Sequence, residues 1–146
     1  MRVLVINGPN LNMLGIREPE IYGSKTLTDL EEYIRNYCAP KEIEVCFFQS
    51  NHEGSIIDTI QSALNHFDGI IINPAAFTHT SIAIPDAIRA VSIPSVEVHL
   101  TDINVREDFR KISHTAAVCI ATIAGRGFDS YIDAVELLES SIQNNG

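Results

Sequence analysis

Residues 3–6, VLVI, run directly into the stretch NGPNLNMLGIREPEIYG at residues 7–23. The first part is a short, β-branched apolar run, which is typical of a buried strand. The second part is rich in asparagine and carries one arginine and one tyrosine, Arg17 and Tyr22. A strand-to-helix connection usually has about 2–6 residues, and longer loops are often lids or binding elements. We therefore predict that the loop from residue 7 to residue 25 is functional.

Four further apolar runs resemble this strand, and amphipathic stretches separate them. The predicted strands are IEVCFF at 43–48, GIIIN at 69–73, SVEVHL at 95–100 and AVCIATIA at 117–124. The predicted helices cover 26–38, 52–67, 81–91 and 128–142, with Thr26 or Thr28 and Ser50 or Asn51 as candidate N-caps. Continuous apolar strands that alternate with helices are typical of a parallel sheet covered on both faces. We predict an α/β fold, a flavodoxin-like doubly wound sheet of five parallel strands in the order 2-1-3-4-5.

Length and composition place this fold in one domain. A chain of 146 residues is expected to form a single catalytic domain, 1–146, with a frayed tail from about residue 142. The net charge of -9 argues against nucleic acid or an anionic membrane as a partner. The chain contains neither a signal-peptide layout nor an apolar run near the ~20 residues of a membrane helix. Its three cysteines fit no metal motif, so we expect free thiols and a cytoplasmic protein without a metal.

The carboxyl ends of the strands are where such sheets bind ligands. Glu97 and His99 are predicted to share one face of the fourth strand, because side chains alternate along a strand. A carboxylate beside a histidine fixes the tautomer of the imidazole and raises its pKa, which suits a general acid. The alternative is an ion pair on a solvated strand end, and the sequence favours neither interpretation.

Tyr22 is a candidate general base on the long loop. For a phenolate to act near neutral pH, its pKa must fall by roughly 3 from about 10. Arg17, five residues earlier, supplies part of that change, and Arg106 and Arg110 are predicted to reach the same pocket. The alternatives are an amphipathic tyrosine that packs and, for the later arginines, an ordinary basic helix face.

Other polar residues near the strand ends have two interpretations each. Asn10, Asn12 and Asn73 are either turn formers or amides that bind hydroxyls, ordered water or an enolate oxygen. His79 and Ser81 either cap a helix or contact a ligand. None of the three lysines lies in a predicted buried strand, which argues against a Schiff base. The loop also lacks the Ser, Thr and Gly content of a flavodoxin-type phosphate loop, so FMN is a weak alternative.

Five motifs in this order resemble one known family. INGPNLNMLGIREPEIYG, QSNHEG, INPAAFTHTS, VEVHLTDI and REDFR together resemble type II 3-dehydroquinate dehydratase (type II dehydroquinase) over essentially the whole chain. The resemblance implies a flavodoxin-like fold and a lyase that needs no cofactor. Its reaction converts 3-dehydroquinate to 3-dehydroshikimate through an enolate, in the shikimate pathway of aromatic amino acid biosynthesis or in quinate breakdown.

The resemblance also implies roles for individual residues. Tyr22 is the base, Arg17 on a mobile lid lowers its pKa, His99 is the acid and Glu97 holds His99. Asn12 positions a water that stabilises the enolate. The implied substrate-binding groups are Asn73, His79, Arg110 and the backbone amides of Leu100 and Thr101. Asp86 reaches the site of a neighbouring subunit, because the family forms trimers that build a homododecamer.

Two positions depart from the family pattern. Asp102 stands where the family commonly has asparagine, and a carboxylate there is expected to weaken an amide contact or repel the substrate acid. Arg126 stands where an apolar residue is usual, so a packing or subunit contact is expected to differ. Two other hypotheses remain: a flavin- or nucleotide-binding module of the same fold, and a non-catalytic assembly protein that kept the scaffold.

Overall fold

The computed structural model describes residues 1–16 and 19–145, apart from the side chains of Ile21, Tyr22 and Asn145. The strands are β1 Arg2–Asn7, β2 Glu44–Gln49, β3 Gly69–Asn73, β4 Ser95–His99 and β5 Ala121–Ala124. The α-helices are α1 Pro19–Tyr22, α2 Leu27–Cys38, α3 Glu53–Ser62, α4 Ala83–Val91 and α5 Asp129–Asn145. All neighbouring strands are parallel, in the order β2-β1-β3-β4-β5, so the predicted sheet and its order are confirmed.

Each face of the sheet packs against two helices. Val5, Val96 and Val98 point to the face that α2 and α5 cover, where they form one apolar core. Ile6 and Ile72 point to the opposite face, which α3 and α4 cover. Because both faces are covered, the strands are mainly apolar, and a buried polar side chain inside them needs a specific partner.

Two predicted elements are shorter in the structure. The fifth strand begins at Ala121 instead of residue 117, because Ala116–Val118 forms a 3₁₀ turn in which Ser113 Oγ accepts the Ala116 N–H. Helix α3 ends at Ser62 instead of residue 67, and Asn65 just beyond it has a left-handed φ of 66°. An apolar run predicts burial, but these residues satisfy their backbone groups in turns.

One of the two predicted helix caps is confirmed, and the other is wrong. Thr26 caps α2 in a reciprocal capping box with Asp29, as predicted. The prediction of Ser50 or Asn51 as the cap of α3 is wrong, since His52 occupies that position without a side-chain bond. Asn51 Oδ1 instead accepts the Asn10 N–H, at 2.9 Å. This bond ties the loop after β1 to the loop after β2.

The remaining predictions concern the tail, the cysteines and membrane segments. Helix α5 continues through the predicted tail to Asn145, and residue 146 lies outside the described part. The three cysteines are free, and burial raises the pKa of the Cys38 thiol to about 11. Within the described residues, no helix has the length and apolar character needed to span a membrane.

Two glycines fix the backbone around the site. A Cβ on Gly8 would lie 2.5 Å from the carbonyl oxygen of Pro74, so β1 and β3 end in a contact that excludes any other residue. Gly15 has a φ of 88°, and a Cβ there would lie 2.7 Å from the carbonyl oxygen of Ser24. The two ends of the loop that carries residues 17–22 are therefore in close contact, where residue 15 meets residue 24.

Candidate active site

A cavity of about 130 Å³ lies beyond the carboxyl ends of β1, β3 and β4. This is the edge of the sheet at which the strand order predicts a ligand. The cavity brings together six of the predicted site residues, namely Asn73, His79, His99, Leu100, Thr101 and Arg110. Asn10 and Arg106, two further candidates, also line it.

His99 and Glu97 form a buried pair at the end of β4, as alternation predicted. Glu97 is fully buried, His99 is 6% exposed, and His99 Nε2 lies 2.9 Å from Glu97 Oε2. A carboxylate can only accept here, so Nε2 carries the proton and Nδ1 is left for a ligand. The pair is not the solvated ion pair that the sequence left open. Since His99 lines the cavity, a proton donor or acceptor faces any molecule bound there.

Asn73 is held by groups on both sides of its amide. Its Oδ1 accepts the Ala75 N–H at 3.1 Å, and its Nδ2 donates to the Tyr131 hydroxyl at 3.0 Å. These bonds fix which end of the amide is the donor, and they leave the second Nδ2 hydrogen for a ligand. Ala75 adopts a left-handed φ of 53°, which costs a non-glycine residue about 1–2 kcal/mol. Strain of this kind is often found at functional sites.

Tyr131 connects the ends of β1 and β3 from within the core. Its hydroxyl donates to Asn7 Oδ1 at 2.6 Å and accepts from Asn73. The side chain is fully buried on α5, and burial raises the pKa of its phenol. Asn7 Nδ2 is buried without a hydrogen-bond partner among the described residues. The sequence analysis missed Tyr131, because its spacing in α5 is that of an ordinary core residue.

His79 and Arg110 reach the cavity from the segments that follow β3 and β4. His79 Nδ1 lies 2.6 Å from the carbonyl oxygen of Ile112. A carbonyl cannot donate, so Nδ1 carries the proton and Nε2 is left for a ligand. Arg110 Nε donates to Glu107 Oε2 at 2.7 Å. Both residues therefore present nitrogen atoms to the cavity, and Arg110 brings a permanent positive charge.

Leu100 and Thr101 follow directly on His99 and line the cavity, with Leu100 buried.

The two departures from the family pattern lie nearby. The Asp102 carboxylate accepts the Asn104 N–H at 2.9 Å and caps the 3₁₀ turn Ile103–Val105. Arg126 is paired with Asp133 at 3.0 Å on the surface. Neither side chain lines the cavity within the described residues.

Asn12 belongs to an amide cluster outside the cavity lining. The Gln49 Nε2 group lies 3.2 Å from the carbonyl oxygen of Gly8, 3.3 Å from Asn12 Oδ1 and 3.2 Å from Asn51 Oδ1. Asn12 itself is exposed on the 3₁₀ turn Leu11–Met13. Its Oδ1 therefore takes part in this cluster.

Three predicted residues lie apart from this cavity or outside the described part. Asp86 is on α4, with its side chain 65% exposed and paired with Arg89 at 3.3 Å. It does not line the cavity of its own chain. Arg17 lies outside the described residues, and so does the side chain of Tyr22, whose backbone ends α1.

Cys119 is close to this site but has no nucleophilic character. Burial raises the pKa of its thiol to about 12, and the negative charge of Glu97 acts in the same direction. The thiol is therefore neutral at physiological pH.

The chemistry that the cavity offers is binding of an anionic, hydroxylated molecule by amide, imidazole and guanidinium groups, with proton transfer at His99.

Comparison with known families shows which proteins this chain is similar to. The family model described as "Dehydroquinase class II" matches residues 1–139. The 3-dehydroquinate dehydratase of Endomicrobium trichonymphae is 52% identical over 139 residues, which cover 95% of this chain and 97% of that protein. The 3-dehydroquinate dehydratase of Clostridium beijerinckii is 53% identical, with 95% of this chain and 96% of that protein covered.

Solved structures agree with the sequence comparisons. The type II dehydroquinase of Butyrivibrio crossotus superposes with a TM-score of 0.93 at 53% identity, covering 95% of this chain and 97% of its own. That of Propionibacterium acnes superposes with a TM-score of 0.91 at 39% identity, covering 95% and 96%. The chain therefore belongs to the dehydroquinase class II family, the type II 3-dehydroquinate dehydratases.

Proposed function

We propose that this protein is a lyase that dehydrates 3-dehydroquinate to 3-dehydroshikimate, with Tyr22 as base and His99 as acid. The observation that carries the proposal is the buried Glu97–His99 pair at the rim of a cavity lined by Asn73, His79 and Arg110. The carboxylate accepts from His99 Nε2 and so fixes the orientation of the imidazole, which leaves Nδ1 to donate to a leaving hydroxyl.

The proposed steps balance without an oxidant or reductant. Tyr22, as phenolate, takes the proton from the carbon beside the ketone, and the electron pair of that C–H bond moves into an enolate. The enolate then forms a carbon–carbon double bond and expels the hydroxyl group of the neighbouring carbon. His99 donates its Nδ1 proton to that hydroxyl, so that water leaves. Family membership supports the overall dehydration.

The loop after β1 supplies the proposed base and the group that stabilises it, which the strand ends do not supply. In the proposal, the Arg17 guanidinium stabilises the Tyr22 phenolate, and the loop closes to exclude water from the enolate. Asn12 holds a water molecule against the enolate oxygen through its Nδ2 group. The contact between Gly15 and Ser24 supports this arrangement, because it brings the two ends of the loop together.

Substrate binding follows from the remaining groups of the cavity. Asn73, His79 and Arg110 bind hydroxyl groups, and the backbone amides of Leu100 and Thr101 hold the carboxylate. Asp102 uses its carboxylate to cap the adjacent turn and does not line the cavity within the described residues. The reaction belongs to the shikimate pathway of aromatic amino acid biosynthesis in the cytoplasm.

We further propose that trimers of this chain assemble into a dodecamer, in which Asp86 reaches the site of a neighbouring subunit. Three apolar side chains beside the cavity, Val105, Phe109 and Ile112, are exposed in the single chain, as expected of an interface. Light scattering coupled to size exclusion tests the assembly. A mass near twelve chains supports it, and a monomer contradicts it.

A spectroscopic assay tests the activity. Purified protein is mixed with 3-dehydroquinate, and the ultraviolet absorbance of the conjugated enone is followed, with borohydride pretreatment as a parallel arm. Growth of absorbance that survives borohydride supports a dehydratase that uses no imine. Absence of growth from folded protein at several pH values contradicts the proposal. His99→Gln should lack the growth, whereas Tyr37→Phe, a surface phenol bonded to Glu136, should retain it.

A further inference from the structure

Ser113 is a half-buried hydrogen-bond partner of Glu97 that was not predicted from the sequence. Its Oγ lies 2.6 Å from Glu97 Oε1, and the Ala116 N–H donates to the same Oγ at 3.0 Å. A serine hydroxyl has one proton, and the Ala116 amide already acts as donor to it. The hydroxyl proton of Ser113 is therefore directed at Glu97.

The two oxygens of Glu97 have different partners. Oε1 accepts from Ser113 and Oε2 faces His99 Nε2, while the side chain is fully buried. The terminal torsion of a glutamate is broad, so one fixed oxygen is needed to define where the other points. A buried charge also requires hydrogen bonds to offset its desolvation. Ser113 meets both needs from a segment that follows β4 by more than ten residues.

We infer that Ser113 is a positioning residue that orients the Glu97 carboxylate toward His99, an inference that rests on the proposed acid role of His99. It acts through Glu97 and does not line the cavity within the described residues. Ser95, on the same strand as Glu97, provides a contrast, because its hydroxyl donates to the backbone carbonyl of Ile93. Ser113 thus completes a chain of three side chains, Ser113–Glu97–His99.

Substitution of Ser113 should change kcat rather than KM. Ser113→Ala removes one hydrogen bond to a charged group, so kcat is expected to fall about 10- to 100-fold. KM should change less than about threefold, because Ser113 does not touch the substrate. Ser113→Thr keeps the hydroxyl and should recover most of the lost kcat. Ser95→Ala, which removes a buried hydroxyl from β4 that does not contact Glu97, should stay within about twofold of the parent.

A double-mutant cycle separates positioning from simple structural damage. In a Glu97→Gln background, Ser113→Ala should cause little further loss of kcat, because the group through which it acts is already altered. Equal fold-losses in both backgrounds would overturn the inference. So would an unchanged kcat in a folded Ser113→Ala protein.

Nuclear magnetic resonance makes the inference independent of the proposed reaction. The His99 Nε2 proton should give a downfield signal, assigned by its loss in His99→Gln. Ser113→Ala should shift this signal or broaden it by faster exchange, and Ser95→Ala should leave it in place. If the parent protein does not turn over 3-dehydroquinate but this shift occurs, the reaction is wrong and the positioning role stands. An unshifted signal in Ser113→Ala refutes the positioning role.

Discussion

The strand ends and the segments that follow them contribute to one cavity, but the chain holds their polar groups in different ways. The ends of β1 and β3 are joined through a partner distant in sequence, since Tyr131 and Asn7 are 124 residues apart. Arg110, after β4, has a local partner, since it is bonded to Glu107 three residues away. The first group needs the complete fold, whereas the second depends on a few neighbouring residues.

The proposed catalytic roles are divided between the same two regions. The acid His99 and its carboxylate are built into the sheet, in a core where side chains have one arrangement. The base Tyr22 and the substrate contact Arg110 lie on connecting segments, which can adjust as substrate enters. We therefore expect changes at the strand ends to affect both stability and turnover, and changes on the segments to affect turnover alone.

The largest expected effect is at Tyr22, on the loop side of the comparison. Tyr22→Phe removes the proposed base, and kcat should fall at least about 1,000-fold. Tyr37→Phe removes a phenol from α2 and should leave turnover unchanged. Steady-state kinetics with 3-dehydroquinate measure both. Turnover of Tyr22→Phe near that of the parent would show that another group takes the proton.

A smaller effect is expected at Arg110, which binds substrate but does not transfer a proton in the proposal. Arg110→Ala should raise KM about 10- to 100-fold, the equivalent of one charged hydrogen bond. Lys111 offers a matched control, because it makes a similar ion pair, with Asp108, beside Arg110 in sequence. Lys111→Ala should leave KM near its parent value. Equal effects of the two changes would mean that overall charge, not a specific contact, binds substrate.

Tyr131 tests the hydrogen bonds that join the strand ends. Tyr131→Phe removes a hydroxyl that bridges Asn7 and Asn73 within the core, leaving two buried amides without it. The free energy of unfolding should fall by about 1–2 kcal/mol. Denaturant titration measures the change, and the surface variant Tyr37→Phe should lose much less. Parent-like stability of Tyr131→Phe would show that this bridge contributes little to the fold.

The smallest effect is expected at the capping box where the long loop ends and α2 begins. The backbone amide and then the side chain of Thr26 hold the pKa of Asp29 below its ordinary value of 3.8. A lowered native pKa stabilises the fold above the unfolded-state pKa, and that contribution disappears as pH falls through the native value. Asp29→Asn should thus lower the denaturation midpoint slightly at about pH 6, with the difference lost near about pH 2. A difference that grows on acidification would contradict this.

The sheet could be predicted from the sequence because its strands are continuous β-branched runs, as at residues 69–73. The Glu97–His99 pair followed from alternation along β4. The strand predicted over 117–124 began too early, because apolar composition does not distinguish a strand from a turn. Ser113 and Tyr131 were not predicted, since their roles come from contacts between segments far apart in sequence.

The proposed acid, His99, depends most directly on the buried carboxylate of Glu97. Glu97→Gln keeps the size of the side chain and removes its charge, so His99 Nε2 loses the carboxylate that accepts its proton. Steady-state kinetics with 3-dehydroquinate, on protein shown to be folded, should give a kcat about 100-fold or more below that of the parent, with little change in KM. A kcat within about threefold of the parent would contradict the assignment of His99 and Glu97 as the proton-donating pair.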